Sequence, residues 1–90
     1  MYYCYILYSL KSNIFYIDST SDLENGVMMH NHARVISTRP HTPWELVWHE
    51  AFDTEKEAHD FELYLKSSTG RSFAYKRLLS VIFPGKVMES

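Results

Sequence analysis

The chain opens on a run that is apolar on both sides. In Tyr2-Tyr3-Cys4-Tyr5-Ile6-Leu7-Tyr8, the residues Tyr3, Tyr5 and Leu7 alternate with Cys4, Ile6 and Tyr8. A strand with two apolar faces is one covered on both sides, which predicts a central strand. Lys11-Ser12-Asn13 reads as a turn, and Ile14-Phe15-Tyr16-Ile17 as a second strand, closing an antiparallel hairpin. Ser21 and Glu24 have capping-box spacing, so a helix is expected from about Asp22 to Asn31. Its apolar stripe is Leu23 and Val27, continued by His30. Gly26 lies within it and weakens it by about 1 kcal/mol relative to alanine. Residues 31–43 carry Pro40 and Pro43 and no periodicity, which predicts a long loop of the kind that is often functional or mobile. Trp44 to Phe52 reads as a third strand, with Trp44, Leu46 and Trp48 set against Glu45 and His49. A second capping box, Thr54 with Glu57, opens a helix to about Ser67. Gly70 is expected to separate it from a last helical stretch, Arg71 to Leu79, and Pro84-Gly85 to end regular structure. The order is β-β-α-β-α-α, an α+β fold with a three-stranded antiparallel sheet packed against three helices. A single domain is expected over residues 1–83, with a C-terminal tail at 84–90.

Composition narrows the picture. Ninety residues allow one domain. A hydrophobic fraction of 46% excludes a disordered chain. One cysteine excludes a disulfide framework within the chain, and no disulfide-linked partner is expected. No apolar run approaches the roughly 20 residues that span a bilayer, so no membrane role is expected. The apolar start lacks a basic n-region and a small-residue cleavage site, so it reads as a strand rather than a leader, and a cytoplasmic location is expected. The formal net charge of -2 weighs against generic nucleic-acid binding, which usually shows a basic surplus.

Two polar residues fall on apolar helix faces. On the second long helix, Ala58, Phe61 and Leu65 define the buried stripe, and Glu62 lies inside that arc. Such a carboxylate either bends out to solvent or meets a cation, hydrogen bonds or a metal. The hydroxyls of Tyr5 and Tyr16, on adjacent strands, are candidate partners. His30 lies on the stripe of the first helix, as a satisfied core histidine or as a functional one. Five histidines stand in the chain, but none forms the HxxxH pair that would favour a zinc site.

At this point the order and spacing resemble the GIY-YIG nuclease family, especially its small single-domain bacterial members, from Tyr2 to about Leu79. Tyr3-Cys4-Tyr5-Ile6-Leu7 resembles the first motif strand, with Tyr5 at the tyrosine of GIY. Phe15-Tyr16-Ile17-Asp18 resembles the second, with Tyr16 at the tyrosine of YIG. Thr20 to Glu24 resembles the lead into the first helix, and Pro43 to Val47 the entry to the third strand. Glu57 to Ser67 resembles the helix that carries the family's metal-binding glutamate. The resemblance implies hydrolysis of DNA phosphodiester bonds with one divalent ion, usually magnesium. It implies Glu62 as metal ligand, and Tyr5, Tyr16 and His30 as catalytic residues. A lone hard-oxygen ligand suits magnesium, which keeps most of its waters.

The departures from the family pattern are specific. The glycine of YIG is Asp18, and the catalytic arginine, four residues before the histidine, falls on Gly26. The preceding position, often basic, is Asn25, and no asparagine follows Asn31. Loss of a transition-state arginine typically costs on the order of 10³–10⁵ in rate. Arg34 or Arg39, on the long loop, would be its substitutes. Asp18 adds negative charge where a phosphate should sit, either repelling substrate or serving as a second metal ligand. Charge is also uneven along the chain. Trp44–Glu62 holds seven acids and one lysine, whereas Leu63–Met88 holds five bases and no acid. Either this is an ordinary solvated face, or Lys66, Arg71, Lys76 and Arg77 contact nucleic acid. Two functions are therefore expected to compete: a magnesium-dependent endonuclease-family domain with weakened or lost activity, and a catalytically inactive nucleic-acid-binding or protein-interaction module on the same scaffold.

Overall fold

The computed structural model describes residues 1–79. The expected stop at Pro84-Gly85, the domain boundary at 83 and the tail at 84–90 lie outside the described residues. The elements are β1 (Tyr2–Ser9), β2 (Phe15–Thr20), α1 (Leu23–Asn31), a short 3-10 turn (Arg39–His41), β3 (Trp44–Phe52), α2 (Glu55–Lys66), α3 (Ser68–Phe73) and a π-helical turn, Ala74–Leu79. No helix among the described residues is long and apolar enough to cross a membrane.

The sheet order is β2-β1-β3, with both pairings antiparallel, so β1 is the central strand its two apolar faces predict. One face, Cys4 and Ile6, packs on Leu65 of α2 and on Ala74 and Leu79. The other, Tyr5 and Leu7, packs on Trp44 and on Leu23 and Val27 of α1. The expected alternation of β3 is broken. The register runs Ile6↔Trp48 but Leu7↔Leu46, so Val47 is an extra residue and the strand bulges there. The bulge sends Trp44 and Leu46 to the α1 face and Trp48 to the α2 face.

Two local expectations shift for physical reasons. The cap of α1 is Asp22, not Ser21. Asp22 is extended (φ -139, ψ 96) and its side chain accepts from the Asn25 N–H. Thr20 fixes it there, since the Thr20 hydroxyl both accepts from the Asp22 N–H and donates to its carbonyl. The Thr54–Glu57 capping box of α2, by contrast, forms as predicted. The break after α2 is at Ser67 rather than Gly70. Ser67 turns extended (ψ 162) and its hydroxyl caps the Gly70 N–H at 3.1 Å. Gly70 lies inside α3, where a Cβ would fall into the Tyr64 carbonyl and 2.8 Å from Leu65 Cα. Its role is close approach of α3 to α2, not a chain break.

The loop after α1 is fastened to the sheet. The Asn31 side chain accepts from the Trp44 N–H at 2.6 Å and donates to the Trp44 carbonyl at 3.0 Å. The Trp44 indole donates to the Thr38 carbonyl at 3.1 Å. This holds Thr38, buried, behind the end of α1.

Candidate active site

The site is built around β2, an edge strand of the sheet among the described residues. Alternation along β2 sends Tyr16 and Asp18 to the α1 face and Ser19 to the α2 face. Tyr5 lies directly opposite Asp18 in the register.

On the α1 face the polar groups form a buried network. The Tyr5 hydroxyl lies 3.1 Å from His30 Nε2 and donates to Asp18 Oδ2 at 3.4 Å. His30 Nε2 is 3.5 Å from the same Asp18 oxygen. The other ring nitrogen, Nδ1, meets the Thr38 hydroxyl at 2.7 Å. The Tyr16 ring packs edge-on against His30, centroids 5.3 Å apart. His30 is 2% exposed and Tyr5 1%, so both ring nitrogens and the phenol are satisfied within the protein.

Electrostatics set the protonation of Tyr5 and Asp18 within this network. Burial pushes the Tyr5 phenol well above its ordinary range, and the charge and hydrogen bond of Asp18 push it further. Tyr5 therefore carries its proton at neutral pH and acts as a donor. Burial also works to raise the Asp18 carboxyl. The hydrogen bonds from His30 and the Ser19 N–H, with the charges of His30 and Lys66, outweigh it and hold Asp18 below its usual value. Asp18 is thus an anion inside the network.

On the α2 face Glu62 is 6% exposed, as its place on the apolar stripe predicts. Its partners are not the tyrosine hydroxyls that the sequence suggested, because Tyr5 and Tyr16 lie on the opposite face of the sheet. The Ser19 hydroxyl donates to Oε1 at 2.6 Å and the Lys66 ammonium donates to Oε2 at 2.6 Å. His59 Nδ1 lies 3.5 Å from Oε1, on a mostly exposed side chain. The two faces communicate around β2. Lys66 Nζ lies 6.0 Å from the Tyr16 ring centroid, and its charge acts on Asp18. The Cys4 thiol beneath is pushed up to about 12, first by burial and then by the charges of Glu62 and Asp18, so it is inert.

Position 26 faces the centre of the network. A Cβ built on Gly26 would lie 3.2 Å from the Tyr5 hydroxyl and 3.2 Å from Thr20 Cγ2. A side chain there would enter the site; glycine supplies none. The loop arginines do not replace it: Arg34 is exposed, and Arg39 Nε donates to the Ala33 carbonyl at 3.0 Å. Arg71, Lys76 and Arg77 are exposed on α3 and the turn after it. Asp18 pairs with Tyr5 and His30, and no three His, Cys, Asp or Glu side chains among the described residues form a ligand set.

Sequence reasoning missed Ser19, Thr38 and the pairing of Lys66 with Glu62. Ser19 follows from strand alternation once Asp18 is placed. Lys66 is four residues after Glu62, a spacing that predicts an ion pair on a helix. Thr38 carries no signal, because it sits in an aperiodic loop.

Comparison with known proteins places the chain in a family. The model of the GIY-YIG catalytic domain matches residues 1–76. The UPF0213 protein YazA of Bacillus subtilis (strain 168) is 37% identical over 60 residues, covering 66% of this chain and 61% of that protein's length. No solved structure matches the chain. With that model matching most of the chain and the β-β-α-β-α-α order on the page, the chain belongs to the GIY-YIG nuclease family.

Proposed function

We propose that this domain is a DNA phosphodiester hydrolase of reduced activity, dependent on magnesium held at Glu62. The observation that carries the reading is Gly26 opposite the Tyr5 hydroxyl, a position aimed at the site with no guanidinium to offer. The donor set suits the ion. Glu62 presents a buried hard oxygen, and magnesium is content with one or two carboxylates while keeping several waters. When bound, the ion supplies Lewis acidity and a more acidic water.

The remaining chemistry belongs to this chain's own residues. Tyr5, held protonated, donates to Asp18 in the free protein and would turn that hydrogen bond toward the reacting group when substrate binds. His30, oriented by Thr38 through Nδ1, presents Nε2 beside that phenol to take or return a proton. Tyr16 packs His30 from the side and keeps its ring in place. Asp18 places an anion where a phosphate would approach, which raises the cost of substrate binding.

The test is cleavage of nicked or branched duplex DNA with magnesium. Slow, magnesium-dependent turnover is expected, and it should vanish in Glu62→Ala. A rate unchanged in Glu62→Ala overturns the mechanism. The second reading, an inactive nucleic-acid-binding or interaction module, is favoured by the same Gly26 and Asp18. Clear turnover by the wild-type protein removes it.

A further inference from the structure

The two oxygens of Glu62 are held in different ways. Ser19, on the backbone-fixed strand β2, donates to Oε1 at 2.6 Å. Lys66, on a flexible side chain at the end of α2, donates to Oε2 at 2.6 Å and is 43% exposed. The first contact anchors the carboxylate and the second is removable. Lys66 also stands within reach of the other half of the site. Its ammonium lies 6.0 Å from the Tyr16 ring centroid, around β2, which pairs with no second strand among the described residues. The arginine position is glycine, and Arg39 is tied to the Ala33 carbonyl.

From this we infer that Lys66 is the exchangeable cation of the site: it occupies Glu62 Oε2 in the metal-free protein, yields that oxygen to a divalent ion, and then contacts the substrate phosphate in place of the missing arginine. The inference rests on the metal reading of Glu62 given above. A like-charged ammonium and a divalent ion cannot share one oxygen at these distances without strong repulsion. Lys66 would therefore leave Oε2 when a divalent ion binds there and turn toward the Tyr16 side, where a phosphate would replace the lost carboxylate partner. Ser19 keeps the carboxylate from swinging with it. A point-charge ammonium suits this exchange better than a guanidinium, which would grip both oxygens of Glu62.

The experiment compares wild type with Lys66→Met and Lys66→Gln, with Glu62→Gln as control. Manganese binding to the DNA-free protein is measured by calorimetry. Binding to a nicked duplex in calcium is measured by fluorescence anisotropy over a salt series. Lys66→Met should bind manganese about tenfold more tightly, because the competing cation is gone. Its DNA affinity should fall, with the slope of log K against log salt shallower by about 0.9. Lys66→Gln keeps an N–H donor for Glu62 without charge. It should behave like Lys66→Met, and it carries the test if the methionine variant does not fold. Manganese binding that depends on Glu62 but is equal or weaker without Lys66 overturns the exchange and leaves the metal reading standing. No manganese binding to any of the proteins overturns both. Tighter manganese binding with an unchanged DNA salt slope overturns the phosphate contact.

Discussion

Replacing Glu62 should lower stability before it affects any chemistry, and the size of the loss follows from its contacts. Glu62→Ala removes the acceptor of the Ser19 hydroxyl at 2.6 Å, a hydrogen bond to a charged group. Such bonds are worth about 1.5–3 kcal/mol net, and the half-buried serine places this one near the lower end. The lost side chain also includes a buried methylene, worth about 0.8 kcal/mol. The Lys66 pair adds little. Its ammonium is 43% exposed and screened by solvent, so the pair contributes about 0.3–0.5 kcal/mol. The expected loss for Glu62→Ala is about 2–3 kcal/mol, a fall in Tm of roughly 10–20 °C for a domain of this size. Glu62→Gln keeps the methylenes and an acceptor for Ser19 but loses the charge and the acceptor of Lys66, so about 1 kcal/mol is expected. Urea unfolding followed by circular dichroism measures both. A Glu62→Ala protein within about 0.5 kcal/mol of wild type would behave like a surface substitution and refute the buried Ser19–Glu62–Lys66 arrangement.

Other perturbations test the remaining contacts. Thr38→Val leaves His30 Nδ1 buried without its 2.7 Å partner and should cost about 1–3 kcal/mol, with Thr38→Ser recovering most of it in the same unfolding assay. Gly70→Ala forces a Cβ into backbone that cannot yield, and the separation of α3 from α2 should cost about 3 kcal/mol or more, read as a lower urea midpoint. Asp18 has a folded pKa below its unfolded value, near 3.9, so its contribution is present above that value and is lost as pH falls through the folded one. With one third of its side chain exposed that contribution stays under about 1 kcal/mol, and Asp18→Asn should show a shallower acid limb in urea midpoints taken between about pH 6 and about pH 2.5.

The parts of the fold legible in the sequence are those set by short-range pattern. Two apolar faces marked β1 as central, and Thr54 with Glu57 marked the start of α2. The helix stripes placed His30 and Glu62 inside before any partner was known. What escaped is set by contacts between elements. The bulge at Val47 exists because β3 must present Leu46 and Trp48 to opposite faces of the sheet, which no single strand's alternation reveals. Gly70 reads as a chain break, yet the reason for glycine is the Tyr64 carbonyl pressed against it. Gly26 reads as a weak point in α1, and the structure supplies its setting: the helix passes so close to Thr20 and the Tyr5 hydroxyl that a Cβ is tight. The partners of Glu62 were misassigned because helix periodicity says which residues turn inward but not which face of the sheet they meet. Asp18 reads as a charge exposed to substrate; the pairing with Tyr5 and His30 emerges only when β2 and α1 are set side by side.

The central claim is that the phosphate site is weakened at two named positions on an otherwise intact scaffold. The most direct measurement is single-turnover cleavage of a nicked or branched duplex with magnesium, comparing wild type with Asp18→Gly/Gly26→Arg. The Cβ at position 26 needs Thr20 and the Tyr5 hydroxyl to give by a few tenths of an ångström, so thermal unfolding of the double variant is measured alongside. A transition-state guanidinium is typically worth on the order of 10³–10⁵ in rate, so a gain of at least about 100-fold is expected, and adding Glu62→Gln should abolish it. A double variant that unfolds at the wild-type temperature but gains nothing, or whose gain survives Glu62→Gln, would contradict the account.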